Sequence, residues 1–279
     1  MVAAQKVALN NGVLMDQLGF GMGRVPPPEA AGLCYRALES GFRHIDTAAL
    51  YGNEPGVGEA ARRFMAEGSA SREDIFLTTK VWNGNHGYDT TLRGFDDSLQ
   101  QLGLDYIDLY LIHWPQPKRA LFVETYRALE RLYGEGRVRA IGVSNFLPEH
   151  LEQLMHATEV VPAVNQIELH PWFQQVRLRE FNASHGIRTI AWSPLARGAV
   201  LTDPVVAEVA RDMGKTPAQI VLRWHLQLGN TAIPKTATYK RMSENLRVWD
   251  FTLNEDAMAR LAGLDDPNGR IGSHPDEVN

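Results

Sequence analysis

Short β-branched or apolar runs alternate with amphipathic stretches along nearly the whole chain. Runs at residues 7–9 and 13–15, separated by Asn11-Gly12, predict a β-hairpin at the amino terminus. Eight further runs predict strands at 18–20, 44–46, 75–80, 107–112, 138–143, 163–168, 188–192 and 231–234. Between them the apolar positions recur at helical spacing, as in 30–40, 88–102, 121–133 and 147–156. Thr216-Pro217-Ala218-Gln219 is a capping box with proline at the first helical position, opening a helix that runs through Leu228. Strand–helix units repeating about every 30 residues predict a parallel sheet, and eight of them suit a closed barrel. The expected fold is therefore α/β, a (β/α)8 TIM barrel with an N-terminal β-hairpin. No Gly/Ser-rich linker divides the sequence, so residues 1–279 are expected to form one domain.

A barrel gathers its reactive groups at the carboxyl ends of its strands. Side chains capable of chemistry follow the strand patterns repeatedly, at Asp46, Lys80, His113, Ser144-Asn145, Gln166, Trp192-Ser193 and Lys235-Thr236. Reducing a carbonyl needs a hydride, which no side chain supplies, and a proton donor for the oxygen. Tyrosine can donate that proton if a nearby cation eases its loss; a carboxylate fixes the cation, and a neutral histidine holds the oxygen. Tyr51, Lys80, Asp46 and His113 supply this set. Singly, each has an ordinary explanation: a helix-capping Asp, a solvated Lys, a core His, a loop-packing Tyr. Four coincidences on three consecutive strand ends are a less economical explanation.

Composition narrows the field. With 28 basic and 33 acidic residues the net charge is −5, and no basic field of the kind that tracks nucleic acid is expected. No apolar run is long enough for a bilayer, and residues 1–10 lack the regions of a signal peptide. The single cysteine, Cys34, excludes an intrachain disulfide and reads as a buried thiol. The cytoplasm is the expected location. The nine histidines include no short His-x-x-x-His pair, so no metal is expected.

Three other motifs are set aside. Gly19-Phe20-Gly21-Met22-Gly23 lacks the third glycine of a dinucleotide fingerprint, and Pro26-Pro27-Pro28 is expected to disrupt the helix start. Gly214-Lys215-Thr216 has Val209 where a P-loop needs glycine. Ser144, His113 and Asp46 could be drawn as a hydrolase triad, but no Gly-x-Ser-x-Gly elbow is present.

The segments Gly41-Phe42-Arg43-His44-Ile45-Asp46-Thr47-Ala48-Ala49-Leu50-Tyr51-Gly52-Asn53-Glu54, Leu77-Thr78-Thr79-Lys80-Val81-Trp82 and Leu109-Tyr110-Leu111-Ile112-His113-Trp114-Pro115 resemble signatures of the aldo-keto reductases. So do Ile141-Gly142-Val143-Ser144-Asn145-Phe146, Val164-Asn165-Gln166-Ile167-Glu168-Leu169-His170-Pro171 and Ile233-Pro234-Lys235-Thr236. The resemblance covers nearly the whole chain. It implies an NADPH-dependent oxidoreductase that reduces aldehydes, ketones or dicarbonyls, with Asp46, Tyr51, Lys80 and His113 as its catalytic tetrad and Tyr51 as general acid. It assigns the nicotinamide amide to Ser144, Asn145 and Gln166, and the stacking aromatic to Trp192. Gly21, Met22, Asp46, Ser193, Pro194, Leu195 and Gly198 are expected along the rest of the cofactor. The 2′-phosphate falls to Lys235, Thr236 and Arg241, and the adenine to Glu244 and Asn245. Lys235 and Arg241 beside hydroxyl and backbone donors suit such a phosphate on chemical grounds as well.

Phe20, Gly23, Tyr51, Trp82, His113, Trp114 and His274 are expected to line the substrate pocket. Relatives usually carry an aromatic residue where this chain has Gly23, so a wider pocket is expected. Trp192 and the tail Ser273-His274-Pro275-Asp276-Glu277-Val278 look most like bacterial 2,5-diketo-D-gluconic acid reductases. The substrate stays open between 2,5-diketo-D-gluconate, methylglyoxal and a general aldehyde. The resemblance suggests a monomer, and it leaves one alternative, a cofactor-binding regulatory barrel with little turnover.

Overall fold

The computed structural model describes residues 5–278. The first four residues of the 1–10 stretch, and both ends of the expected 1–279 domain, lie outside the described residues. An antiparallel hairpin, β1 (Lys6–Ala8) and β2 (Leu14–Asp16), precedes the barrel. The barrel strands are β3 (Phe20–Gly21), β4 (His44–Asp46), β5 (Phe76–Val81), β6 (Ile107–Ile112), β7 (Val138–Ser144), β8 (Val164–Glu168), β9 (Arg188–Trp192) and β10 (Thr231–Ala232). They pair in parallel and in chain order. A parallel bridge between Leu18 and Ala232 joins the last strand to the first, with Gly19 N–H donating to Ala232 O at 2.9 Å, and closes the ring.

Around it lie α1 (Pro27–Ser40), α2 (Glu54–Ala66), α3 (Tyr88–Leu102), α4 (Phe122–Gly134), α5 (Pro148–Ala157), α6 (Val176–Ser184), α7 (Pro204–Met213), α8 (Pro217–Gln227), α9 (Tyr239–Asn245) and α10 (Glu255–Ala262). Among the described residues no helix is long and apolar enough to cross a membrane.

Two details depart from expectation. Pro26-Pro27-Pro28 does not disrupt the first helix but starts it: Pro26 is the N-cap and α1 begins at Pro27. The first N–H groups of a helix have no internal partner, so prolines there lose nothing and arrive with a helical φ. The last strand is shorter than 231–234, because Pro234 has no N–H to continue the ladder. The capping box at Thr216 forms as expected, with Thr216 accepting from Gln219 N–H.

Alternation along each strand sorts side chains into two layers. Phe76, Leu109, Leu111, Ala140, Val164 and Ile190 fill the barrel interior together with Leu9 and Met15 of the hairpin segment, which plugs the amino-terminal end. Ile45, Leu77, Tyr110, Ile112, Ile141, Val143 and Ile167 face outward into the larger core shared with the helices, where Cys34 is also buried.

Candidate active site

The inward parity of the strands also places polar groups. Asp46 and Lys80 continue the inward rows of β4 and β5; His113, one residue past β6, continues the row of Leu109 and Leu111. Ser144, Gln166 and Trp192 do the same for β7, β8 and β9. The carboxyl-terminal mouth is therefore lined by residues more than a hundred positions apart.

At its centre Lys80 Nζ donates to Asp46 Oδ1 at 2.6 Å and to Thr47 O at 2.8 Å, with the lysine side chain 0% exposed. Gln166 Nε2 donates to Asp46 Oδ2 at 2.7 Å, so both carboxylate oxygens are held. Tyr51 ends a 3-10 turn, Ala49–Tyr51, that closes on Gly52 at φ +62°, a left-handed conformation glycine adopts without strain. Buried Asn53 accepts from Thr47 Oγ1 at 2.6 Å and donates to Met22 O at 2.9 Å, tying this turn to the segment after β3. The phenol thus stands beside the ion pair, its ring centroid 5.7 Å from Lys80 Nζ and 5.7 Å from the His113 ring. The His113 ring in turn meets Trp82 edge-on at 5.4 Å and Trp114 at 6.5 Å, both half-buried.

The protonation states follow from burial and charge. Burial first, then the negative charge of Asp46, raises Tyr51 well above the usual 10.0, and the phenol keeps its proton. Lys80 is lowered by burial, with Asp46 opposing. Burial, then Lys80 and His86, hold His113 well below 6.5, so its imidazole is neutral. The cation expected to ease loss of the tyrosine proton is engaged with Asp46 and Thr47.

The amide-bearing residues gather next to this cluster. Ser144 Oγ donates to Gln166 O at 2.8 Å, Asn145 Nδ2 to His113 O at 2.9 Å, and Trp192 Nε1 to Asn145 Oδ1 at 2.8 Å. Asn145 sits at φ +65° and Ser193 at φ +48°, a left-handed backbone that non-glycine residues adopt at a cost. Pro194 O accepts from buried His225 Nε2 at 3.0 Å, Leu195 leads into a 3-10 segment, Ala196–Thr202, and Gly198 has open space around it. Lys235 and Arg241 are exposed and Thr236 half-buried; Glu244 and Asn245 end α9, with Lys240 3.8 Å from Glu244.

One expectation needs correction, and a second narrows to the backbone. Phe20 does not line the mouth: it is fully buried in the outer core, 5.3 Å from Phe42. The side chain of Met22 is buried in the same layer, which leaves it only a backbone role; its N–H donates to Asp46 O at 2.8 Å. Parity explains both, since Gly19, Gly21 and Gly23 take the inward positions and a Cβ at Gly19 would lie 2.7 Å from His44 Nδ1. Gly23 faces the phenol, and a Cβ there would stand 3.6 Å from the Tyr51 hydroxyl. His274 lies in the carboxyl-terminal tail, 3.8 Å from Asp276, which itself reaches His150 on α5 at 3.2 Å.

Sequence reasoning passed over Glu168 and His86. Glu168 is buried at the end of β8, two residues beyond Gln166 and on the same inward row, a spacing that could have flagged it. His86 is buried beyond β5 near His113.

Residues 15–266 match the model of the aldo/keto reductase family. An aldo-keto reductase of Mycobacterium sp. (strain JLS) is 49% identical over all of this chain and 99% of its own length. The methylglyoxal reductase DkgA of Escherichia coli (strain K12) is 45% identical over 97% of both chains. The crystal structure of a Gox0644 mutant in complex with NADPH superposes with a TM-score of 0.94 at 46% identity, covering 99% of each chain.

Proposed function

The chain belongs to the aldo/keto reductase family, and from that premise we propose which of its residues perform the chemistry. It is an NADP-dependent oxidoreductase that reduces carbonyl groups with NADPH. The observation that carries the assignment is the buried Asp46–Lys80 pair standing against Tyr51, with the His113 ring 5.7 Å from the phenol ring.

The residues at the mouth fit the cofactor. Ser144, Asn145 and Gln166 offer the hydroxyl and amide groups that pair with a carboxamide, and the half-buried indole of Trp192 offers a face for the ring it belongs to. Among the described residues Lys235 and Arg241 have no ion-pair partner within 4.0 Å, which leaves two cations for the 2′-phosphate beside Thr236, with Glu244 and Asn245 toward the adenine. Bound there, NADPH supplies the hydride.

Everything else falls to the chain. Tyr51 donates its proton to the carbonyl oxygen as negative charge builds on it. The neutral His113 imidazole donates a hydrogen bond to that oxygen without competing as the acid. Lys80 lies beside the phenolate that forms, and Asp46 keeps the lysine in place. Trp82, Trp114 and the open side of Gly23 border the space left for substrate.

The relatedness to a methylglyoxal reductase supports an α-oxoaldehyde as substrate, with 2,5-diketo-D-gluconate as the larger candidate that Gly23 makes room for. The test is NADPH oxidation with a panel of simple aldehydes, methylglyoxal and 2,5-diketo-D-gluconate. A kcat/KM for methylglyoxal below that for simple aldehydes would overturn the substrate assignment, and failure to oxidise NADPH with any of them would overturn the activity. The continuous barrel supports a single domain over the whole chain. A monomer working in the cytoplasm completes the proposal, and sedimentation of the purified protein tests its oligomeric part.

A further inference from the structure

The carboxyl-terminal tail, residues 264–278, does not lie loosely over the barrel. Asp266 N–H donates to Trp172 O at 3.1 Å, Asp265 accepts from Gln174 N–H at 2.8 Å, and Arg270 stacks its guanidinium 4.5 Å from the Phe173 ring. The most buried anchor is Glu168. Its Oε1 accepts from Ile271 N–H at 2.6 Å, and its Oε2 accepts from Gly272 N–H at 2.9 Å. His170 Nε2 lies 3.1 Å from Oε1, and both side chains are 0% exposed. Burial alone would raise the carboxyl; the hydrogen bonds from His170, Ile271 and Gly272 outweigh it and leave Glu168 lowered, as a charged acceptor.

The held backbone lands on the site. A Cβ at Gly272 would lie 2.5 Å from Cη2 of Trp192 and 2.7 Å from Glu168 Oε2, so glycine alone lets the chain pass between carboxylate and indole. The other edge of the same indole is fixed by its Nε1 donating to Asn145 Oδ1 at 2.8 Å. Trp192 is thus gripped at the nitrogen by Asn145, one residue past β7, and at the far carbon by the tail.

We propose that Glu168 is a positioning residue for cofactor binding: by holding the amides of Ile271 and Gly272 it seats the tail against Trp192 and sets where the indole lies. This rests on the reading of Trp192 as the wall against which the nicotinamide stacks. Glutamine at position 168 keeps one acceptor oxygen and turns an NH2 group toward the second backbone N–H. Losing a charge-assisted hydrogen bond in this way corresponds to a weakening of about tenfold.

The experiment measures NADPH Kd by calorimetry for Glu168→Gln, Gly272→Ala, Trp192→Ala and the double variant Glu168→Gln/Trp192→Ala. Glu168→Gln is expected to raise Kd about tenfold. Gly272→Ala, which leaves the carboxylate intact, is expected to raise it to a similar extent. In the Trp192→Ala background the effect of Glu168→Gln should fall below about twofold, because the contact it acts through is gone. Additive effects of the two substitutions, or an unchanged Kd in Gly272→Ala, would overturn the latch and reduce Glu168 to a structural anchor. If Trp192→Ala alone leaves Kd unchanged, the reading of Trp192 fails, and the proposal with it.

Discussion

Two buried aspartates, at opposite ends of the barrel, are held in different ways. Asp108 lies near the start of β6, at the end plugged by the hairpin, and it is saturated: Arg72 at 2.7 Å, Arg139 at 2.8 Å and Leu77 N–H at 2.9 Å. Arg72 is itself bonded to Ile75 O and Tyr106 O and stacked on the Tyr106 ring at 3.9 Å. Asp46 at the mouth has one cation and one amide, and its surroundings include a protonated phenol and a neutral imidazole that both retain hydrogen-bonding capacity toward the cleft. A fully partnered buried charge holds a fold in register. A charge whose neighbours keep free polar atoms is equipped to meet a ligand.

The first way to break this comparison is to swap the expected consequences. Tyr51→Phe should lower kcat roughly a hundred- to ten-thousandfold while leaving NADPH affinity and thermal stability near those of the parent. Single-turnover kinetics and calorimetry check both halves. A large loss of stability would mean that the mouth, like the floor, is built for the fold.

Asp108→Asn is the mirror experiment. Removing one partner from a buried ion-pair cluster leaves Arg72, 15% exposed, without its carboxylate, at a cost of about 3–5 kcal/mol. Denaturant unfolding should register that loss, with kcat/KM per folded molecule unchanged. A drop in kcat/KM without a drop in stability would assign Asp108 to the chemistry.

The two ends also differ in how far the sequence reveals them. Apart from Tyr51, which ends a 3-10 turn five residues past β4, the mouth residues were legible because they fall at or just past the ends of strand patterns, and β4, β6 and β9 take the bounds that their apolar runs predict. Asp108 was not, because it sits inside the run 107–112, and its arginines come from outside β6, Arg72 from before β5 and Arg139 from β7. Glu168 was hidden differently. Its position in the pattern is visible, but its partners, Ile271 and Gly272, use backbone amides that any residue carries. Phe20 misled because an aromatic beside glycines reads as a pocket wall until the pleat assigns the glycines to the inside.

Gly23 sharpens the comparison within the mouth itself. A Cβ there meets the Tyr51 ring and hydroxyl at ordinary contact distance, so a small side chain fits and a large one intrudes on the approach to the phenol. Gly23→Phe should change the ratio of kcat/KM between bulky and small carbonyls by about tenfold, in favour of the small ones. An unchanged ratio would mean that substrate enters from another side.

The smallest effect expected is a flat one. Reduction needs Tyr51 protonated, a condition met below its folded pKa and lost as pH rises through it; that value lies well above 10.0. It needs His113 neutral, a condition lost only as pH falls through a value well below 6.5. Lys80 is the group displaced toward neutrality, so its cation is lost as pH rises through a value under the ordinary 10.5, ahead of the tyrosine. The kcat/KM profile should therefore cross pH 6.5 with less than about a twofold change and fall on the alkaline side with the lysine. Lys80→Arg separates the two groups, since a guanidinium keeps its charge: its residual activity should hold to higher pH than the parent. An inflection near 6.5 that vanishes in His113→Gln would instead show an imidazole that titrates in the ordinary range, and with it a mouth wetter than the burial of His113 implies.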